Sequence, residues 1–477
     1  MICLFVDGRR LVSKMLHPRS SFIFFILVLI IFAPIYTQFS VQIPNTSNSN
    51  AFSSTEYQWI ARFERQAGLE YMQIDKMWNR TYSNSMYDIG YGIVECRDGG
   101  FAMTGATQQI YMELGHRYNV WLIRTDAHGN VLWNASFGQL GYDGGYDLIE
   151  CPDSGFAIVG YSMNNQSDVS DIFVVRTNAW GVLLWNRTYR ATGSDLGYSI
   201  IWVRAGGFAV LGSLKFRETG LLRIDEEGSL LWNQTFPVPS IRTNKGLVEC
   251  PDGGFAFIAN NDPLLWSNVG LFRTDANGRM LWNRTYGGAG TYSGRGLVLC
   301  SDGGFAIVGG ICNVGTDNWN IWLVRTDSQG TLLWNQSFGS SEYEIAYSLT
   351  QIRGGGFACT GIITTDEGFH NIRLVITDAS GEALLNHIIV WSGNCRAHSI
   401  VECKDRGLAL TGGTDKGDTG MNLILFRIPG NQNSIFADRV AWIIIVLVLP
   451  LVTSVIVVWV TLHFLRSKVQ QTNAKVL

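Results

Sequence analysis

The sequence predicts an all-β chain folded as a seven-bladed β-propeller, with an N-terminal signal or anchor segment and a C-terminal transmembrane helix. Three observations carry this prediction. One phrase, clearest from Trp322 to Phe357 (WLVRTDSQGTLLWNQSFG, a variable stretch, then GGGF), recurs in seven copies of about 50 residues. Its spacing is fixed: 23 residues separate the Trp position from the Phe position in every copy, and an acidic or Asn position stands 7 residues ahead of the Trp. Two apolar runs, Phe22–Ile35 and Val440–Leu465, flank the repeats.

Composition agrees. Gly at 53 residues, 12 % aromatic and only 16 % charged residues suit a strand-rich repeat with many tight turns. Net charge is −3 with no basic block in the repeats, which leaves no electrostatic footprint for nucleic acid.

Taken in order, residues 1–37 hold Arg9, Arg10, Lys14 and Arg19 ahead of the first apolar run. Positive charge before a short apolar run reads as a secretory signal; Phe32 to Thr37 is a poor cleavage site, so an uncleaved signal anchor stands beside it. Residues 38–70 form a polar tether rich in Ser and Asn, with a short helix predicted over Glu56–Glu70 that has Trp59, Ile60 and Phe63 on one face. The propeller is predicted over residues 71–429, a linker over 430–439, the membrane helix over 440–465 and a cytoplasmic tail over 466–477. The second apolar run is about 26 residues long, enough to span a ~30 Å hydrocarbon core, and Arg466 and Lys468 follow it. A single-pass protein, or a two-pass one if the first run is uncleaved, then places the propeller outside the cytoplasm, at the cell surface.

Within the repeats, the Trp column is Trp78, Trp133, Trp185, Trp232, Trp282 and Trp334, then Leu385. The Phe column is Phe101, Phe156, Phe208, Phe255, Phe305 and Phe357, then Leu408. Four strand-like runs fill each unit; in the first they are Met77–Tyr82, Tyr91–Cys96, Phe101–Thr107 and Val120–Thr125. Asp98-Gly99-Gly100 supplies the positive φ of a tight hairpin. The first unit opens on a Trp strand without predecessors and the last ends on Asn422–Ile428 without a Trp strand after it, so pairing the two closes a ring and removes two open edges.

These motifs resemble prokaryotic extracellular β-propeller repeats of the pattern DGGF, WLxRTDxxG and LWNxT, and the tryptophan-docking motif of quinoprotein-like propellers, here Asp327-Ser328-Gln329-Gly330 with Trp334. The resemblance covers residues 72–428 and implies the fold; propellers host enzymes, receptors and scaffolds alike, so it implies no activity.

Several columns bear on chemistry. The Arg column (Arg124, Arg176, Arg223, Arg273, Arg325, Arg427) is expected to pair with nearby acids such as Glu95, Glu150, Glu249 or Glu402. The Cys column alternates with Val203 and Ile352 and reads as buried free thiols; Cys395 and Cys403, both in the last unit, are the candidate disulfide pair. Asn79, Asn134, Asn186, Asn233, Asn283 and Asn335 all begin glycosylation sequons, as do Asn45 on the tether and Asn165; duplication of a structural Asn gives the same pattern. No G-x-S-x-G, HExxH, P-loop or EF-hand loop occurs, so no catalytic residue, metal or cofactor is assigned.

The distance from Phe to the next acidic position varies from 17 to 25 residues, which places the variable loops between the second and third strands of each unit. The same face receives Tyr91, Tyr146, Tyr198, Lys245, Arg295, Tyr347 and His398, expected to open each innermost strand and ring the channel mouth. Together with His116, Arg117, Tyr118 and Trp319 on the loops, they are the candidate ligand-binding residues, suited to a polar or anionic ligand such as a glycan or a peptide carboxylate. The expected role is a membrane-anchored binding, adhesion or scaffold module with an extracellular protein or glycan partner and no nucleic acid. The alternative is a surface polysaccharide hydrolase or lyase, for which Asp366 and Glu367, near His370, are the adjacent acids.

Overall fold

The computed structural model describes residues 5–6, 9–10, 72 and 76–430, apart from 112–114, 139–140, 165–168, 192, 216–217, 240–244, 261–267, 366, 391–392 and 416–419. The chain divides into two compact units, Met1–Trp59 and Ile60–Leu477. In the first, the described residues form one short antiparallel pair, Phe5–Val6 with Arg9–Arg10. The expected signal or anchor run, tether helix, membrane helix and tail lie outside the described residues. Among the described residues no helix is long and apolar enough to cross a membrane.

The second unit is all-β. Alternating apolar residues and Gly-containing turns fold each repeat into a four-stranded antiparallel meander. Sheet 1 holds Asp88–Glu95, Phe101–Tyr111, Gly115–Thr125 and Val131–Phe137. Sheet 2 holds Gly141–Glu150, Phe156–Asn164, Ser170–Thr177 and Leu183–Tyr189. Sheet 3 holds Leu196–Trp202, Phe208–Leu214, Glu218–Ile224 and Leu230–Pro239. Sheet 4 holds Leu247–Glu249, Phe255–Asn260, Val269–Thr274 and Met280–Tyr286. Sheet 5 holds Gly290–Leu299, Phe305–Asn313, Trp319–Thr326 and Leu332–Phe338. Sheet 6 holds Tyr343–Gln351, Phe357–Thr364, His370–Thr377 and Ala383–Ile389. Sheet 7 holds Cys395–Glu402, Leu408–Asp415 and Met421–Ile428, and its fourth strand is Trp78–Tyr82 from the start of the repeats, with Trp78 opposite Arg427 and Tyr82 opposite Leu423. A single parallel pair, Tyr118 with Tyr142, joins sheets 1 and 2. These four-stranded sheets are consistent with a propeller.

The first copy departs from the expected strand bounds. Its long connection is not a loop: the second and third strands continue as a paired hairpin to Tyr111 opposite Gly115. The extra residues keep strand alternation, and an extended hairpin satisfies backbone groups that a loop would leave to water.

Packing is between sheets. Apolar clusters lie at the junctions of consecutive sheets, and one joins sheet 7 to sheet 1 through Tyr82, Leu423 and Leu425 against Ile93, Phe101 and Met103. Each Trp lies over the glycine of the next sheet's turn: an added Cβ on Gly181 would stand 2.5 Å from Trp133, and one on Gly129 would stand 2.9 Å from Trp78. These turn glycines also have positive φ, 77° at Gly129, so both space and backbone require the residue. The Trp rings meet the Phe column edge-on, as Trp133 meets Phe156 at 5.8 Å.

The turns between first and second strands and those between third and fourth lie at one end of every sheet, here the turn face; the opposite end is the link face. On the turn face the Arg column does not pair with the expected glutamates. Arg124, Arg176, Arg273, Arg325 and Arg427 are buried and reach the aspartate of their own sheet's first turn, Asp98, Asp153, Asp252, Asp302 and Asp405. In sheet 3 Ala205 replaces that aspartate and Arg223 donates instead to Gly206 O. The strand reversal sets the acid of the first turn beside the last residues of the third strand, which linear spacing hides.

The glutamates fasten one sheet to the next. Glu150 accepts from Arg97 N (3.0 Å), Glu249 from Arg204 N (3.1 Å), Gln351 from Ser301 N (2.8 Å), Glu402 from Arg353 N (2.9 Å) and Glu95 from Lys404 N (2.8 Å). At the two remaining junctions the donor position is Pro152 or Pro251, which has no N–H, and the acceptor position holds Trp202 or Leu299. Acceptor and donor are therefore present or absent together.

A pH dependence follows. Burial raises the carboxyls of Asp98, Asp153, Asp252, Asp302 and Asp405, but the arginines and the turn N–H groups outweigh it and hold all of them below the ordinary value. A depressed folded-state value contributes stability above the unfolded value near ~3.9, lost as pH falls through the folded value. Thermal melts should show stability dropping below about pH 4, and Asp302→Asn should flatten part of that drop. An unchanged acid limb in that variant counts against the assignment.

Candidate functional site

Six of the seven candidate ring residues do not open their strands; they sit within them, at a β-bulge. The register of first on second strand slips between Gly90 and Gly92, Gly145 and Asp147, Gly197 and Ser199, Gly294 and Gly296, Ala346 and Ser348, and Ala397 and Ser399. The residue left over is Tyr91, Tyr146, Tyr198, Arg295, Tyr347 or His398. A bulge re-aims the extra side chain.

The bulge depends on a glycine in the neighbouring strand, the last residue of Phe-Ala-x-x-Gly. A Cβ on Gly105, Gly160 or Gly309 would lie 1.7 Å from the backbone oxygen of Ile89, Gly144 or Ser293. Sheet 4 has Ala259 at this place, and there the first strand is only Leu247–Glu249, with no register slip. Lys245 precedes that strand and bridges in parallel to Gly296 of sheet 5.

The structure brings the column together. Ring centroids lie 5.2 Å apart for Tyr347 and His398, 5.1 Å for His398 and Tyr91, 5.3 Å for Tyr91 and Tyr146, and 5.9 Å for Tyr146 and Tyr198. The Arg295 guanidinium stands over Tyr347 at 5.8 Å. Lys245 reaches inward and its Nζ donates to Ile93 O of sheet 1 at 3.3 Å. From Arg295 through Tyr347, His398, Tyr91 and Tyr146 to Tyr198 the column thus forms one continuous series of ring and cation contacts. Tyr161, whose ring lies tilted against Tyr146 at 5.4 Å, extends it.

Burial sets the charge states. It pushes the His398 imidazole down to about 3, helped by Arg396 and Arg295, so the ring is neutral at physiological pH. Burial lowers Lys245, opposed by Asp147, and raises Asp147 to about 6, opposed by Lys245 and by the N–H groups of Ile200 and Leu148. Asp147 accepts from Ile200 N at 3.0 Å and Leu148 N at 2.9 Å. These bonds tie the bulge of sheet 2 to the first strand of sheet 3.

The link face holds a second grouping. Tyr118 meets Tyr87 at 5.6 Å and Tyr142 at 5.9 Å, and the Arg117 guanidinium lies over Tyr142 at 5.1 Å. His116 belongs to the same strand; its side chain is outside the description. Trp319 stands apart, against Tyr343 at 6.3 Å. His370 shares a hydrogen bond with Thr364 Oγ1 at 2.9 Å; Glu367 is exposed and Asp366 is outside the described residues.

Sequence reasoning missed Tyr87, Tyr142 and Tyr343, although a signal exists: Tyr-Asp-Ile-Gly-Tyr, Tyr-Asp-Gly-Gly-Tyr and Tyr-Glu-Ile-Ala-Tyr set each of them four residues before a ring tyrosine. It also missed the acids within these motifs. Asp88, Asp143 and Glu344 are fully buried, as is Asp195 in the same place in sheet 3. Asp88 accepts from Asn84 N at 2.7 Å and Ser85 N at 2.8 Å, which holds the link into sheet 1.

The sequon column lies on the outer strands, where Asn134, Asn233, Asn283 and Asn335 are exposed and Asn79 and Asn186 half-buried. Asn45 and Asn165 are outside the described residues. Cys395 and Cys403 are buried free thiols, as are Cys96, Cys151, Cys250 and Cys300. Among the described residues no group of His, Cys, Asp and Glu is placed to hold a metal.

No family model matches the chain, and no curated protein matches it. Solved structures do. A puromycin hydrolase is similar at 15 % identity and TM-score 0.46, over 71 % of this chain and 52 % of its own, so this chain spans about half its length. The BBS1N part of a complex with ARL6DN is similar at 8 % identity and TM-score 0.43, over 73 % and 94 %. The acylaminoacyl peptidase of Pyrococcus horikoshii is similar at 10 % identity and TM-score 0.41, over 73 % and 54 %.

Proposed function

We propose that the seven sheets close into a seven-bladed β-propeller, held at a membrane by the Val440–Leu465 run, outside the cytoplasm, and that its link face binds an extracellular protein or glycan. The cyclic order of sheet contacts supports closure, as does the Trp78–Tyr82 strand, which precedes sheet 1 in sequence and completes sheet 7. The exposed sequon column and the positive charges after the second apolar run support an extracytoplasmic, glycosylated propeller. The observation that carries the binding role is the Tyr87, Tyr118 and Tyr142 grouping with Arg117 over it. Rigid aromatic faces with a cation beside them suit recognition of a sugar ring or an anionic peptide.

The test is a pull-down with the full chain in detergent against an array of glycans and envelope proteins. Once a partner is captured, Arg117→Ala with Tyr118→Ala and Tyr142→Ala should weaken it by at least about tenfold, a loss of ~1.4 kcal/mol or more. His128→Ala with Gln329→Ala, on the turn face, should leave it unchanged. Loss in the second variant and retention in the first, with both folded, places binding on the other face.

A further inference from the structure

The turn-face rim carries an apolar feature that neither the core nor the link face uses. Leu132, Leu184, Leu231, Leu281 and Leu333 are each the second residue of an outer strand, just above the turn. Each is 54–56 % exposed, and each follows a second exposed apolar residue. Trp180, in the corresponding turn of sheet 2, is 76 % exposed. Sheets 6 and 7 have Leu384 and Met77 in the same place, half-buried. Scattered single exposed leucines need no explanation, but the same exposure repeated at one height around the outer strands makes a belt.

Among the described residues nothing covers the belt, and its position indicates what does. The third strand of sheet 7 ends on the turn face at Ile428, and the apolar run begins at Val440. Twelve residues reach at most about 40 Å, so a span starting there keeps the turn face within that distance of the bilayer. Met72, on the other side of the repeats, pairs with Gly430 at this same end, so the chain also enters the fold here. Each Leu precedes its outer-strand Asn by two residues, so the two share a face of the strand about 7 Å apart, with the sequon farther from the turn. Exposed Trp and aliphatic side chains beside a membrane anchor belong in the interfacial layer, where apolar bodies leave water and polar tips keep it.

We infer that this belt seats the turn face on the lipid surface, its leucines and Trp180 entering the interfacial layer of a zwitterionic bilayer, so that the link face points outward. The inference rests on the membrane anchoring proposed above. It fixes which face is free to bind and adds a lipid contact to a chain otherwise held by its anchor alone.

The experiment uses the full chain in phosphatidylcholine nanodiscs and in discs of the same lipid brominated on its acyl chains near the interface. Trp180 emission is read as the difference between wild type and Trp180→Phe. The expected result is that brominated lipid at least halves this difference, and that Leu333→Trp in the Trp180→Phe background adds emission quenched to a similar degree. Serine at Leu132, Leu184, Leu231, Leu281 and Leu333 should restore most of the Trp180 emission. Quenching of Trp442 and Trp459, in the apolar run, reports anchoring independently. If those are quenched while Trp180 and the Leu333→Trp reporter are not, the belt does not touch lipid and the inference fails with anchoring intact. Quenching of one reporter alone overturns a seated ring. If none is quenched, the anchoring proposal fails and this inference with it.

Discussion

Gly309→Ala should destabilise the protein by about 3–5 kcal/mol, at the upper end of single-residue effects. The added Cβ would lie 1.7 Å from Ser293 O, a backbone atom held in the bulge that presents Arg295. No side-chain rotation relieves a clash with backbone, so the first strand of sheet 5 must move away, and the cluster around Leu297, Ile307 and Trp322 must open with it. Ala259→Gly provides the contrast. Sheet 4 has no register slip, Ala259 is accommodated, and the change removes one buried methyl and adds backbone freedom, for a loss of about 1–2 kcal/mol. Denaturant midpoints of both variants, with circular dichroism at each, check this. If the two changes cost the same, or if Gly309→Ala melts with wild type, the glycine is not what permits the bulge.

Deleting residues 76–82 from the full chain should abolish a single cooperative transition. The deletion removes the fourth strand of sheet 7, five paired residues from Trp78 opposite Arg427 to Tyr82 opposite Leu423. It also removes Trp78 from Gly129 and the Tyr82 hydroxyl that donates to Gly129 O at 2.8 Å. The lost contacts lie between sheets 7 and 1, so the apolar cluster at that junction is uncovered and the third strand of sheet 7 becomes an unpaired edge. Loss of a large aromatic from a packed site alone costs about 3–5 kcal/mol, and the deletion adds the strand ladder to it. The expected readout is a broad, early melt with concentration-dependent aggregation. A deletion variant with the sharp melt of the full chain rules out closure through this strand.

Strand order, turn chemistry and inter-sheet packing of the Trp column were legible in the sequence because each is a local or strictly periodic constraint. Gly-Gly before Phe supplies positive φ wherever it occurs, and the fixed step from Trp to Phe is the length of a strand, a link and a strand. The separated Trp strand at the start of the repeats was legible by the same logic, since a four-stranded unit lacking one member needs it from elsewhere.

What only the tertiary structure decided depends on residues that the fold sets face to face. The partner of Arg325 is Asp302, 23 positions away, because two reversals superpose the turns. Glu402 serves the backbone of Arg353 in the preceding sheet, and where Trp202 or Leu299 replaces such an acceptor the preceding sheet has Pro152 or Pro251 at the donor position. The ring side chains were found in sequence, but their mid-strand bulge was not, because it is caused by a missing Cβ on the adjacent strand. The belt of Leu132, Leu184, Leu231, Leu281 and Leu333 reads in sequence as ordinary strand hydrophobicity; only the sheet order makes it an outer edge, exposed on the face where the chain leaves for its apolar run. Periodicity gives a residue its strand, whereas exposure and partnership are settled by which strand lies next to it.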